Sequence, residues 1–143
     1  MTAATGKILA LDIGTVRIGL AIASTVARLS SPYRTIANDD AVWQTLRDIC
    51  AKEDVVQLVA GLPRGLDGQA TNQTAYAEQF VGMLASELNL PVSLIDEAVT
   101  SRQAETELMA RGKQFSKGDI DALAAVYILD DYLQENPVRN TNE

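Results

Sequence analysis

The stretch LALDIGTVRIGLAIA, residues 9–23, places one aspartate inside an apolar run. Asp12 follows four apolar residues, and a glycine-bearing turn at 14–16 separates it from a second apolar segment. Because a connection this short can only join antiparallel neighbours, the stretch predicts a β-hairpin. A strand that is apolar on both faces is expected to be buried, and a buried carboxylate is costly unless it is paired or binds a metal. Asp12 therefore needs a partner elsewhere in the chain.

The order of the predicted elements indicates a mixed α/β fold. Strands are predicted over 7–13, 17–23, 32–36, 55–60 and 91–95, and helices from the N-cap Asp39, over 71–88, from Thr100 or Ser101 to Arg111, and over 117–134. An antiparallel meander of three strands, extended by two parallel strands added through helical crossovers, gives a five-stranded sheet flanked by helices. We expect one domain over residues 1–143, with an ordered core at about 6–134 and a frayed tail at 135–143.

Apolar spacing in the helices predicts which faces point inward. The predicted inward residues are Val42, Leu46, Ile49 and Cys50 in the first helix, Ala75, Phe80, Met83 and Leu84 in the second, and Ile120, Leu123, Ala124, Tyr127, Ile128 and Leu129 in the last. Between the fourth strand and the second helix, the glycine-rich segment GLPRGLDG, residues 61–68, is predicted to be a loop.

Composition limits the kinds of chemistry that are possible. The chain has no histidine, which excludes Ser-His-Asp and Cys-His catalysis by its own side chains as well as histidine-bound zinc. Any catalytic metal would need oxygen ligands, which favours Mg²⁺ or Mn²⁺. Cys50 is the only cysteine, so no internal disulfide is possible. No apolar run approaches the roughly 20 residues needed to span a bilayer. We therefore expect a cytoplasmic protein with no membrane association.

The net charge of −7, from 19 acidic and 12 basic residues, disfavours a general nucleic-acid-binding surface. The local distribution of charge matters more than the sum, however.

Three carboxylates stand out by their context. Asp12 ends the first strand, Glu97 follows VSLID at the carboxyl end of the last strand, and Asp121 lies in KGDIDALAAVYIL near the start of the last helix. Each has a simpler explanation alone, as a turn residue, a loop acid or a helix N-terminal acid. Together they would repel one another unless a divalent cation were bound. Two Mg²⁺ ions about 4 Å apart could activate a water and stabilise the leaving oxygen of a phosphodiester.

Four segments resemble the YqgF/RuvX family of ribonuclease H-like nucleases: LALDIGTVRIGLAIA, LVAGLPRGLDG, LIDEAVTS and KGDIDALAAVYILDDYL. Members of this family are described as Holliday junction resolvases or pre-16S rRNA processing nucleases. The similarity covers about residues 6–134 and implies a ribonuclease H-like fold with an acidic site for Mg²⁺ or Mn²⁺. Asp12, Glu97 and Asp121 match its catalytic, metal-binding acids, whereas Asp119 falls on a variable position.

One departure from the family concerns the residue after the Asp-Glu pair. The family usually has arginine there, whereas this chain has Ala98. The loss removes a possible phosphate contact or a local charge partner for the acids, and Arg102 is a candidate to compensate for it. Candidate phosphate contacts are Arg17, Arg64, Arg102 and Lys117, each of which could instead be a solvated surface charge. Backbone N–H groups of GLPRGLDG could also hold a phosphate.

The resemblance favours processing of the 5′ end of pre-16S rRNA in ribosome biogenesis. Structured RNA, as part of ribosomal precursor particles, is then the expected partner. A Holliday junction resolvase acting on branched DNA is the first alternative. A non-catalytic nucleic-acid-binding or ribosome-binding module is the second. DIGT also resembles the phosphate-binding hairpin of sugar kinases and actin, but those proteins need a second domain that 143 residues do not provide.

Overall fold

A computed structural model describes residues 5–64, 69–98 and 117–137, except the side chains at 64, 97, 98 and 117–120. The elements are β1 (Lys7–Ile13), β2 (Arg17–Ser24), β3 (Ser31–Ala37), α1 (Val42–Glu53), β4 (Val55–Arg64), α2 (Asn72–Leu88), β5 (Val92–Ala98) and α3 (Lys117–Glu135). The helix predicted to end at Arg111 lies outside the described residues. None of the described helices has both the length and the apolar composition needed to cross a membrane.

The five strands form one sheet in the order β3-β2-β1-β4-β5. β1 pairs with β2, and β2 with β3, in antiparallel fashion. β4 runs parallel to both β1 and β5. The predicted meander with two added parallel strands is therefore confirmed, and the carboxyl ends of β1, β4 and β5 lie at the same edge of the sheet.

Three predicted boundaries are wrong. β4 continues through residues 61–64 instead of ending at Ala60, because this segment pairs with β5 as far as Arg64 opposite Ala98. β5 likewise extends to Ala98, so Glu97 is part of the strand. Asp39 is not the N-cap of α1, which is Ala41. The Asp39 carboxylate instead accepts the Ala41 backbone N–H at 3.0 Å, in the turn before the helix.

The sheet separates two apolar clusters. The larger one joins alternate residues of β1, including Leu9 and Leu11, to α1 and α2. The smaller one joins Ile8 and Ala10 to α3, including Ile128. Alternation along β1 thus sends successive side chains to opposite faces of the sheet.

The inward face of α1 is confirmed, with Val42, Leu46 and Ile49 buried and Cys50 partly buried beside them. In α3, Ala124, Ile128 and Leu129 are buried as predicted.

The inward face of α2 differs from the prediction. Phe80 and Leu84 are buried, but Ala75 is exposed and Met83 is 51% exposed. Thr74 and Ala77 are buried in their place. The first turn sets this rotation, because Thr74 forms a capping box with Thr71 and also donates its hydroxyl to the carbonyl of Pro63.

Two glycines allow α3 to lie close to the sheet. A Cβ at Gly19 would overlap the backbone carbonyl of Asp121 and lie 2.8 Å from the Ala122 nitrogen. A Cβ at Gly61 would overlap the side chain of Ile128. The first turns of α3 therefore rest on strand backbone, which positions Asp121 beside β1.

Candidate active site

Asp12 lies near the carboxyl end of β1, directly opposite Gly19 of β2. It follows Ile8 and Ala10 at intervals of two residues, so its side chain is on the sheet face that α3 covers. Because β1 is parallel to β4, this end of β1 lies where ligand sites form in open α/β sheets.

Asp121 is the charged neighbour of Asp12. Burial, and secondarily the negative charge of Asp121, raise the pKa of the Asp12 carboxyl from 3.8 to about 7. Loss of hydration and a nearby like charge both disfavour the ionised form of a carboxylate. The free-energy cost predicted for ionising a buried carboxylate in the first strand is therefore found at Asp12, and the charge of Asp121 increases this cost.

Arg17 supplies a positive charge to this pair. Its Nε donates a hydrogen bond to Oδ2 of Asp121 at 2.9 Å, with the two side chains 38% and 21% exposed. Arg17 was predicted from the sequence as a candidate phosphate contact, and in the structure its partner is a carboxylate. The guanidinium therefore offsets negative charge on Asp121.

A cleft of about 210 Å³ opens beside the two acids. Asp12 and Asp121 line it, together with Gly14 and Thr15 of the β1–β2 turn. The structure thus brings together two of the three acids that the sequence analysis selected. Their function as metal ligands stays a prediction.

The same cleft is lined by Pro63 of β4 and by Gln73 and Tyr76 from the first turns of α2. The Tyr76 hydroxyl accepts a hydrogen bond from Nδ2 of Asn38 at 2.7 Å. That nitrogen also donates to the backbone oxygen of Gly14 at 2.8 Å. None of these α2 and Asn38 contributions was predicted from the sequence. Threonines at 71 and 74 are a local pattern that could have placed Gln73 and Tyr76 in the first turns of α2, whereas Asn38 has no such signal.

Glu97 lies next to the cleft by its place in the sheet. Its Cα partner in β4 is Pro63, which lines the cleft, but the Glu97 side chain is outside the described part of the chain. Arg64 and Lys117 occupy the last position of β4 and the first of α3, again without described side chains. Arg102 lies outside the described residues, as does the 65–68 part of GLPRGLDG.

The residues present fit part of an oxygen-ligand metal site. Asp12 and Asp121 offer carboxylate oxygens, the ligand type that Mg²⁺ and Mn²⁺ prefer. A bound cation would remove the cost that raises the pKa of Asp12. Across residues 5–64, 69–98 and 117–137, no group of three acidic, cysteine or histidine side chains is placed to hold a metal ion. Among the predicted acids, Glu97 remains the candidate for a third carboxylate ligand.

Solved structures share the fold. Thermus thermophilus RuvC in complex with Holliday junction substrate matches with a TM-score of 0.58 and 16% identity, covering 94% of this chain and 98% of that one. A fowlpox virus resolvase bound to Holliday junction DNA matches with a TM-score of 0.52 and 9% identity, covering 90% and 97%. At such identities the likeness concerns the fold, and the predicted ribonuclease H-like fold is confirmed.

Closer relatives are found by sequence. One from Corynebacterium jeikeium is 41% identical over 133 residues, which cover 90% of this chain and 86% of the relative. One from Chloroflexus aggregans is 40% identical over 137 residues, which cover 91% and 96%. Both bear the name "Putative pre-16S rRNA nuclease". Residues 6–135 also match the family described as "RuvX: Holliday junction resolvase". With relatives this similar over nearly its whole length, the chain belongs to the RuvX family.

Proposed function

We propose that the protein is a metal-dependent endonuclease that hydrolyses phosphodiester bonds in structured RNA and processes the 5′ end of pre-16S rRNA. The observation that carries this proposal is the pairing of Asp12 and Asp121 in one cleft at the carboxyl edge of the sheet. The names of the relatives favour RNA as the substrate. Ribosomal precursor particles in the cytoplasm are the proposed setting.

Asp12, Glu97 and Asp121 are the proposed ligands of two Mg²⁺ or Mn²⁺ ions. When bound, such ions activate a water and stabilise the leaving oxygen of a phosphodiester. The chain's own contribution is to hold the carboxylates in place, because β1 is paired with a strand on each side and the start of α3 contacts strand backbone at Gly19. Arg17 keeps Asp121 in place by its 2.9 Å hydrogen bond.

Substrate binding by an acidic protein requires local positive charge. Arg17, Arg64, Arg102 and Lys117 are the proposed phosphate contacts. Arg17 would serve both Asp121 and the substrate, since a guanidinium has five N–H donors. The other three are proposed from their positions in the sequence, Arg64 in GLPRGLDG and Arg102 and Lys117 near Glu97 and Asp121.

Cleavage of branched DNA is the second candidate, favoured by the description of the family as a Holliday junction resolvase. A resolvase cuts two strands symmetrically, which calls for two active sites related by a twofold axis. The two candidates therefore differ in both polymer and assembly.

The test compares a 5′-extended 16S rRNA precursor with a DNA four-way junction. Each is incubated with Mg²⁺, with Mn²⁺ and with a chelator, using the wild type, Asp12→Asn and the control Asp48→Asn. Asp48 is an exposed α1 acid that bonds only locally to Gln44, so its variant matches the change in charge. The proposal expects metal-dependent RNA cleavage that Asp12→Asn abolishes and Asp48→Asn retains. Cleavage of the junction alone would favour the resolvase, and binding without cleavage would favour the non-catalytic module.

A further inference from the structure

We propose that the Tyr76 hydroxyl donates a hydrogen bond to a phosphate oxygen of the nucleic acid in the cleft, and that Asn38 positions it. This inference rests on the proposed function, since it names a further contact to the same substrate. It assigns Tyr76 to substrate binding and Asn38 to the positioning of Tyr76.

The direction of each hydrogen bond follows from chemistry. The Gly14 carbonyl oxygen can only accept, so the Asn38 side chain must turn its NH₂ group toward it, at 2.8 Å. The same nitrogen lies 2.7 Å from the Tyr76 oxygen. An amide NH₂ donates and does not accept, so the Tyr76 oxygen is the acceptor. The hydroxyl proton must therefore point away from Asn38.

That proton has no acceptor among the residues that the structure describes. The only hydrogen bond that the described part of the chain gives to the Tyr76 hydroxyl is the one from Asn38. The ring itself is held against Phe80, with centroids 6.5 Å apart, so the hydroxyl is fixed at the cleft by packing as well as by Asn38. A hydroxyl that is held in this way, and whose proton meets no acceptor within 5–64, 69–98 and 117–137, is oriented to donate to a ligand.

The chemistry of the cleft indicates the kind of acceptor. Asp12 and Asp121 supply acceptors that suit cations. Tyr76 lies instead in the first turns of α2, where the helix N-terminus is electropositive, and Gln73 adds an amide beside it. A phosphodiester brings non-bridging oxygens that only accept hydrogen bonds. Neutral donors at this position would bind such an oxygen without adding a positive charge next to the metal-binding acids.

The first experiment compares Tyr76→Phe with Tyr33→Phe. The Tyr76 change removes one hydroxyl and keeps the ring that packs on Phe80. The Tyr33 hydroxyl bonds Glu53 at 3.0 Å and does not line the cleft, so its variant is the matched control. Both are placed in the Asp12→Asn background, and binding of a labelled rRNA-precursor hairpin is measured by fluorescence anisotropy. We expect about tenfold weaker binding for Tyr76→Phe, the loss typical of one hydrogen bond to a charged oxygen. Tyr33→Phe should bind as its parent does.

The second experiment is a double-mutant cycle. Asn38→Ala should weaken binding when Tyr76 is present and have little further effect in the Tyr76→Phe background, because Asn38 acts through that hydroxyl. Melting temperatures of all four proteins separate this coupling from a general loss of stability. Additive effects on binding would overturn the positioning role of Asn38.

The outcomes of these experiments distinguish a wrong role for Tyr76 from a wrong proposed function. If the wild type cleaves RNA and Tyr76→Phe binds the hairpin within twofold of its parent, the Tyr76 contact is refuted and the nuclease proposal stands. If the wild type neither cleaves nor binds nucleic acid, both are refuted.

Discussion

Gly19 lies directly opposite Asp12 in the β1–β2 pair and in contact with the backbone of Asp121. Because Gly19 has no side chain, the turn of α3 that carries Asp121 can approach β2 closely beside Asp12.

Substitution of Gly19 should separate the acids. In Gly19→Ala the new Cβ would overlap the Asp121 carbonyl, so α3 must shift outward. We expect a loss of about 1–3 kcal/mol in the free energy of unfolding, as for other overpacked sites. Nuclease activity should fall by at least about tenfold, because a small misplacement of catalytic groups is costly.

Gly82→Ala is the control for this change. A Cβ at Gly82, within α2, would meet no atom within 4 Å. Removing a helical glycine should raise the free energy of unfolding by about 0.5–1 kcal/mol and leave cleavage unchanged. Urea denaturation and cleavage assays measure both quantities. Equal activity of Gly19→Ala and the wild type would contradict the role assigned to Gly19.

The metal-free protein should lose stability as the pH rises through the range in which Asp12 ionises. Burial and Asp121 raise the pKa of Asp12 from 3.8 to about 7. A group whose pKa is raised by folding contributes stability below its unfolded pKa, and this contribution is lost as the pH rises toward the folded value. Asp12→Asn, which cannot ionise, should therefore be more stable than the wild type at pH 8 without metal, on the order of 4 kcal/mol.

Thermal melts in a chelator between pH 4 and pH 8 measure this difference. It should shrink toward pH 4, where the Asp12 carboxyl becomes protonated in the unfolded chain as well as in the folded protein. A difference that did not change with pH would contradict the ionisation of Asp12 as its cause.

Loss of Arg17 should affect binding more than folding. Its ion pair with Asp121 is partly exposed, so Arg17→Ala should cost at most about 1 kcal/mol of stability. RNA binding should weaken. The slope of the logarithm of the binding constant against the logarithm of the salt concentration should become smaller by about one, the change expected for one lost phosphate contact. Arg47→Ala removes a similar ion pair, Arg47–Glu87 at 3.0 Å, whose residues do not line the cleft. It should leave both the affinity and the salt dependence unchanged. RNA-binding titrations at several salt concentrations measure both quantities. The same affinity and salt dependence for Arg17→Ala and Arg47→Ala would contradict the prediction.

The Cys50 thiol should be unreactive in the folded protein. Burial raises its pKa from 9.0 to about 11, so little thiolate is present at pH 8. Alkylation by iodoacetamide, followed by mass spectrometry, should be about 100-fold slower in the native protein than in urea. The same shift predicts that stability decreases as the pH rises above about 9, where the unfolded thiol ionises first. Equal alkylation rates in the two states would refute the buried environment.

Much of the fold was visible in local patterns. Apolar runs and short turns predicted the strands. The cost of burying the Asp12 carboxylate predicted a partner elsewhere in the chain, and Asp121 was one of the predicted partners. The continuation of β4 through Arg64 was not visible, because glycine and proline in GLPRGLDG indicate a loop and only pairing with β5 overrides them.

The parts of the site that were missed depend on tertiary contacts. The rotation of α2 is fixed by the bond from Thr74 to the Pro63 carbonyl, a long-range contact that exposes Met83 and turns Tyr76 toward the cleft. The pairing of Arg17 with Asp121 spans 104 positions of the chain. Neither relationship has a signature at the spacing of residues along one element.

Because α3 rests on strand backbone at Gly19, the spacing of the two carboxylates depends little on side-chain rotamers at that contact. Main-chain atoms cannot change conformation as leucine or methionine side chains do. The large apolar cluster lies on the other face of the sheet, and substitutions there can alter stability while leaving this contact in place. Substitutions in that cluster should therefore change the melting temperature while leaving the backbone contact between Gly19 and α3 unaltered.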